Sequence, residues 1–397
     1  MSVATSAPPR QAGLAQLVLL LAGSCLSVLG AVLIAPVLPQ MTDHFAGVAG
    51  ADVLVPIVLT VPALIIGLTA PFAGVIADAV DRKRVLIAAM VGYTIFGTAP
   101  LYLESLHAII GSRVLVGLCE AAIMTCCTTL IADYWSGPKR SRYLGLQTLL
   151  SAVSATVFLG IGGALGSSGW RTPFWLYFAA VLLAVPMAVM IWQPARAPRI
   201  GKLAPIPWRQ LRTPCLVTLA GGVVFYALIV ELSFVLDEAG VTATATIGAL
   251  SALMSLATAI AAGSFAKLSG QTPRTLLPIA FGLSAAGLLV IWANGAVPVI
   301  TVGAIITGAG TGLLLPTLLT WATNGLSFEQ RGRGTGLWTG TLFVGQFLSP
   351  VLITGVGAAV GGLRPALGIL GIVVAVLAVA MLAVVPKDAA PLNITQD

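Results

Sequence analysis

Apolar residues run almost unbroken through twelve stretches, near residues 14–39, 53–77, 85–103, 108–132, 144–166, 174–193, 215–236, 243–266, 275–293, 297–322, 334–357 and 363–385. Each is close to the roughly 20 residues that a helix needs to cross a hydrocarbon layer. The runs are continuous rather than alternating. That favours helices over a barrel, and hydrocarbon admits only those two solutions because every backbone polar group must find its partner inside the chain. The pattern predicts an all-α integral membrane protein with twelve transmembrane helices.

The polar gaps between the runs carry the second signal. Of twenty Lys and Arg, seventeen fall at the termini or in even-numbered gaps: Arg10, Arg82, Lys83, Arg84, Lys139, Arg140, Arg142, Arg196, Arg199, Lys202, Arg209, Arg212, Lys267, Arg274, Arg331, Arg333 and Lys387. Arg171 and Arg364 fall in odd gaps, and Arg113 lies inside a span. Cations accumulate on the cytoplasmic side of a membrane, so both termini are expected there, in a multi-pass protein of the cytoplasmic (inner) membrane. The alternation also checks the count, since a missed helix would scramble it. A net charge of +7 distributed this way speaks for topology and against nucleic acid.

Composition agrees. The chain is 58% hydrophobic and 8% charged, with mean hydropathy +1.02. Soluble domains carry roughly 25% charged residues, so the lipid bilayer is the expected solvent. Residues 1–13 are short and polar, and the first run is too long for a signal-peptide core. Cys25, Cys119, Cys126, Cys127 and Cys215 all lie in spans and read as small packing residues. With no ligand-like spacing, and with His44 and His107 in odd gaps, no metal or cofactor is expected.

The chain is also written twice. Arg140-Ser-Arg142-Tyr-Leu-Gly145-Leu146 returns 191 residues later as Arg331-Gly-Arg333-Gly-Thr-Gly336-Leu337. Gly117 pairs with Gly308 and Asp133 with Asn324 at the same spacing, and Gly74 pairs with Gly263 at 189. An internal repeat of membrane helices is a recurrent build for transporters. The longest loop, 194–214, holds five prolines and five basic residues and reads as a cytoplasmic linker. Two pseudo-symmetric six-helix bundles, 1–193 and 215–397, are expected on either side.

Between the second and third spans stands Gly74-Val-Ile-Ala-Asp78-Ala-Val-Asp81-Arg82-Lys83-Arg84. This resembles the signature loop of the major facilitator superfamily, Gly-x-x-x-Asp-x-x-Gly-Arg-Arg/Lys, with Asp81 in place of the second glycine. Ala35-Pro36-Val37-Leu38-Pro39, Arg113-x-x-x-Gly117, Gly169-Trp170-Arg171-x-Pro173-Phe174 and Gly263-x-x-x-Lys267-x-x-Gly270 are similar to further motifs of that superfamily. The resemblance implies two six-helix bundles around a central cavity, working by alternating access, and it is to the twelve-helix drug and small-molecule efflux branch. It also implies that Asp78 faces the N-terminus of span 11, near Arg333, in a clasp that ties the halves together. Gly74, Asp78, Asp81, Arg82, Arg84, Arg142 and Arg333 are the candidates for that gate. Drug:proton antiporters of the superfamily usually carry Gly-Pro ahead of the Gly162-Gly163 pair in span 5, where this chain has Phe158-Leu159.

Three charges lie well inside spans: Arg113, Glu120 and Glu231. A charge at the centre of a spanning helix costs roughly 2.5–3.5 kcal/mol on insertion scales, which makes function the default reading. Arg113 and Glu120 share a helix face about 10.5 Å apart, too far for pairing along a straight helix. Their repeat equivalents are Ala304 and Thr311, so the scaffold glycine is duplicated and the charges are not. Span 4 is therefore expected to hold the coupling site. Glu120 is the first choice for a proton acceptor, and Arg113 either opposes protonation or holds a substrate carboxylate. Glu231, followed by Asp237 and Glu238, is a further proton or vestibule group. Tyr93, Gln147, Phe225, Tyr226, Asn324, Trp338 and Gln346 are candidates for the cavity wall.

The leading expectation is a secondary transporter, working as a monomer, that exports small amphipathic compounds in exchange for protons. The alternative is an importer or uniporter of a small organic anion held by Arg113. A non-transporting sensor on the same scaffold is a third class. An enzyme is disfavoured because no His-Glu-x-x-His motif or Ser/His pairing falls at membrane depth, and no Gly-x-x-x-x-Gly-Lys loop for ATP occurs.

Overall fold

The computed structural model describes residues 11–79, 81–194, 207–387 and 391–392, the side chains of 73–79 and 328–329 excepted. Among the described residues all regular structure is helical, and twelve helices are long and apolar enough to cross a membrane. In the first half these are α1 (Leu14–Val32, continued by a 3-10 turn Ala35–Val37 and a short helix Leu38–His44), α2 (Ala51–Ala79), α3 (Arg82–Gly97), α4 (Leu106–Tyr134), α5 (Gly137–Gly166) and α6 (a 3-10 segment Thr172–Phe178 leading into Ala179–Met190). In the second they are α7 (Trp208–Glu238), α8 (Thr244–Leu268), α9 (Pro273–Ala293), α10 (Val297–Thr323), α11 (Phe328–Val360) and α12 (Leu363–Val384). The even-numbered gaps collect on one face, the basic face, and the odd-numbered gaps on the opposite one.

Three helices begin well ahead of their apolar runs, by about two turns. α5 starts at Gly137, with Pro138 in its first turn. α11 starts at Phe328 behind a capping box in which Ser327 and Gln330 satisfy each other's backbone. Residues 208–214, expected in the linker, form the first turns of α7, and 195–206 lie outside the described residues. Lys139, Arg140, Arg142, Arg209, Arg212, Arg331 and Arg333 therefore sit on helix ends rather than in loops. Long basic side chains suit that depth because their stems lie along apolar surface while their heads reach water.

The duplication is visible in the packing. Across the halves α2 packs on α11 and α5 on α8. Exchanging the halves maps one pair onto the other. Gly117 and Gly308, paired in the repeat, do equivalent work. A Cβ at Gly117 would strike the α2 backbone at Pro62, and one at Gly308 would strike the α8 backbone at Met254. The cross-half contacts are equally close. Gly163 of α5 lies against Gly248 of α8, and Gly67 of α2 against Gly340 of α11. Small residues allow such approach between helices that lipid does not drive together. Thr156 and Ser255 add a hydrogen bond at 3.1 Å between α5 and α8.

The halves differ at their first helices. α1 breaks ahead of Pro36, and its last helical bond runs from Leu33 N to Leu29 O. α7 runs unbroken for 31 residues. A helix that ends inside hydrocarbon leaves carbonyls without partners, and they must be satisfied from elsewhere.

Candidate functional site

A cavity of about 500 Å³ lies between the halves. Its wall comes from α1, α2, α4 and α5 on one side and α7, α8, α10 and α11 on the other. Most of it is apolar, relieved by hydroxyls such as Ser27, Ser151, Ser255 and Thr311. Of the sequence candidates, Glu120, Phe225, Tyr226, Trp338 and Gln346 line it. Glu120 is the one charged residue among the described residues of its wall.

Arg113 does not line the cavity. It is fully buried beside the broken end of α1. Its Nη2 donates to Gly30 O at 2.9 Å, its Nε to Val58 O of α2 at 3.2 Å, and its Nη1 to the Tyr177 hydroxyl of α6 at 2.6 Å. Its Cζ also lies 5.2 Å from the centroid of the Tyr177 ring. Gly30 O is one of the carbonyls that the break in α1 leaves without a helical partner, and a cation is favoured at a helix C-terminus. The next carbonyl, Ala31 O, accepts from the Tyr226 hydroxyl of α7 at 2.5 Å, a bond between the two halves. Arg113 and Tyr226 thus cap α1 from inside its own bundle and from the other one.

Glu120 sits nearly two turns along α4 from Arg113. It is 1% exposed, and neither carboxylate oxygen has a hydrogen-bond partner. No ion pair joins it to Arg113 among the described residues. The carboxylate is turned toward α1, where Oε1 fills the space that a side chain at Gly30 would need. A buried carboxylate without a donor is costly as an anion, so this arrangement suits the neutral acid.

The remaining candidates lie elsewhere. Tyr93 is buried on α3 and donates to Leu26 O of α1 at 2.6 Å. Gln147 of α5 donates to Ser24 Oγ at 2.7 Å and Thr128 Oγ1 at 3.0 Å, binding α5 to α1 and α4. Asn324 closes α10 at the basic face and donates to Leu392 O at 3.2 Å. Glu231 is buried at 3% exposure on α7, away from the cavity wall, and its Oε1 lacks a partner. Gln40, 191 residues earlier, leaves its own Oε1 in the same condition.

At the basic face, Asp81 caps α3. Its Oδ1 accepts from Arg84 N at 3.0 Å, and its Oδ2 lies 3.5 Å from Arg84 Nε. An acceptor side chain at this position stabilises a helix start, which accounts for an aspartate where the related motifs have glycine. Arg82 pairs with Asp133 at the end of α4, and its backbone N donates to Gln193 Oε1 at 2.8 Å. These bonds tie the α2–α3 connection to its own bundle. Arg142 is exposed on the first turns of α5, and Arg333 is partly buried on α11. The side chains of Gly74 and Asp78, and so the expected clasp, lie outside the described residues. Sequence reasoning missed Tyr177 and the Arg82–Asp133 pair. Asp133 stood out only as a repeat echo, and an aromatic in an apolar run carries no mark of its partner.

Comparison with known proteins fits this architecture. The sequence profile of the Major Facilitator Superfamily matches residues 20–271 and 215–396. Over 230 residues the chain is 26% identical to the Tetracycline resistance protein, class C, of Escherichia coli, covering 56% of each chain, so it spans about half the length of that relative. It is 24% identical over 350 residues to the Bacillibactin exporter of Bacillus subtilis (strain 168), covering 81% of this chain and 85% of that one. Among solved structures it resembles a bacterial homolog of the human lysosomal transporter Spinster, in an inward-facing and unoccupied conformation. There the TM-score is 0.76 at 17% identity, covering 93% of this chain and 95% of that one, a likeness of fold. Twelve helices in two matching bundles, a cavity between them and a profile match to both halves agree, and the chain belongs to the Major Facilitator Superfamily.

Proposed function

We propose that this protein is a secondary transporter that works as a monomer by alternating access, exporting small amphipathic compounds in exchange for protons. Glu120 carries the proton. The observation that supports this most is a lone, unpartnered carboxyl at the wall of a mostly apolar cavity shared by both halves. Such a wall suits an apolar body with a cationic or neutral head. The related Bacillibactin exporter favours the outward direction. The basic face is read as cytoplasmic by the charge bias, which puts both termini inside and the protein in the inner membrane. Gly74, Asp78, Asp81, Arg82, Arg84, Arg142 and Arg333 form the cytoplasmic gate in this reading, and Glu231 is a second site of protonation.

The organic-anion alternative loses its main support. It needed Arg113 as an anion clamp, and the guanidinium is occupied by two carbonyls and a phenol behind the cavity wall.

The test is transport in proteoliposomes with an imposed pH gradient, using tetraphenylphosphonium, ethidium and benzoate. Gradient-driven movement of the two cations, lost in Glu120→Gln with binding retained, is the expected result. Movement of benzoate alone, or undiminished proton-driven flux in Glu120→Gln, overturns the proposal.

A further inference from the structure

Glu120 is placed by a residue on another helix. A Cβ at Gly30 of α1 would coincide with Glu120 Oε1, and the Tyr93 hydroxyl closes the same space, 3.1 Å from that Cβ position. The carbonyl of Gly30 accepts from Arg113 Nη2. The carbonyl of the following residue, Ala31, accepts from Tyr226 of the other half. One residue thus meets the acid with its bare Cα and the cation with its carbonyl, one peptide away from a bond that joins the bundles.

We propose that Gly30 is the positioning residue through which the proton on Glu120 is coupled to the broken end of α1. The inference rests on Glu120 as the proton site. With the proton on, the neutral carboxyl lies against Gly30 and leaves Arg113 to the carbonyls. When the proton leaves for water, the remaining carboxylate competes with Gly30 O for the guanidinium, because opposite charges attract strongly where water is scarce. The end of α1 then loses its cationic cap, and Ala31 O is freed to part from Tyr226. The titratable groups that face Glu120 are Arg113 and Cys119 of α4, Tyr93 of α3, Tyr177 of α6 and Tyr226 of α7. Of these, Arg113 is the one that is charged near neutral pH.

Gly30→Ala tests this, with pH-driven ethidium transport in proteoliposomes measured as a function of pH. Gly23→Ala is the control, since a Cβ there meets only the movable side-chain ends of Met187 and Cys127. Gly30→Ala is expected to displace the carboxyl, slow pH-driven transport about tenfold and move the midpoint of its pH profile by roughly one unit. Glu120→Asp is one methylene shorter and removes the overlap, so the double variant Gly30→Ala/Glu120→Asp is expected to recover the profile of Glu120→Asp alone. If Gly30→Ala does not fold by itself, recovery of folded protein on adding Glu120→Asp is the same relief of overlap. An unmoved midpoint in Gly30→Ala, or a double variant no better than the single one, overturns the coupling. Glu120→Gln separates the two levels. Proton-driven transport surviving in that variant removes Glu120 and this inference together, whereas its loss alongside an unmoved Gly30→Ala midpoint removes Gly30 alone.

Discussion

Replacing Arg113 by leucine separates a helix cap from a substrate clamp. The substitution deletes three hydrogen bonds, to Gly30 O, Val58 O and the Tyr177 hydroxyl. Hydrogen bonds to a charged group contribute about 1.5–3 kcal/mol each, so the sum is about 4.5–9 kcal/mol. Against it stands the roughly 2.5–3.5 kcal/mol that a guanidinium costs in the membrane, which leucine avoids. The difference is a loss of about 1–6.5 kcal/mol. At roughly 2 °C per kcal/mol for a large chain, thermal unfolding in detergent should fall by about 2–13 °C. Lysine should not rescue it, because one ammonium cannot hold acceptors on α1, α2 and α6 at once. An Arg113→Leu protein as stable as the wild type, defective only toward an organic anion, would refute the capping argument and return Arg113 to substrate binding.

Two further outcomes follow from the seams between the halves. Tyr226→Phe removes the hydroxyl that reaches Ala31 O; losing about 1 kcal/mol should shift the opening equilibrium about fivefold, seen as a larger separated population between spin labels on the opposite face, and an unchanged distribution would argue against a latch. Gly163→Val puts atoms where the Gly248 and Thr244 backbones stand; disulfide formation between Thr156→Cys and Ser255→Cys, whose hydroxyls are 3.1 Å apart, should drop sharply, and full crosslinking would show that α5 and α8 do not need this approach.

The sequence carried the architecture well and the site unevenly, for physical reasons. Hydrocarbon forces twelve apolar runs into the composition, so the twelve helices are legible without any contact being known. The repeat located Gly117 and Gly308 because both halves need the same close approach. Charges inside spans were legible as costly residues, and Glu120, which lines the cavity, stood out that way. The partner of a buried charge was not legible when that partner is backbone. Arg113 bonds to carbonyls of Gly30 and Val58, and no residue type marks an available carbonyl. Tyr93, Gln147 and Asn324 each bond to a neighbouring segment rather than line the cavity, Tyr93 and Gln147 to helices and Asn324 to Leu392 beyond the last one.

The unequal charges of the two repeats have a local cause in the same place. α1 is broken ahead of Pro36, and α7, its counterpart, runs through to Glu238. A broken helix at membrane depth needs donors for its last carbonyls, and an intact one does not. Arg113 supplies them in the first half, and Ala304 suffices at the matching position in the second. A cation retained for capping then sets the electrostatics of its own helix face. A carboxyl seven residues along, Glu120, packs on Gly30, and in the coupling proposed above its ionised form is drawn to the guanidinium. The second half, with no break to cap, has Thr311 there. The asymmetry of charge in span 4 thus begins as a backbone requirement of α1, and restoring continuity in α1 with Pro36→Ala should weaken the dependence of stability on Arg113.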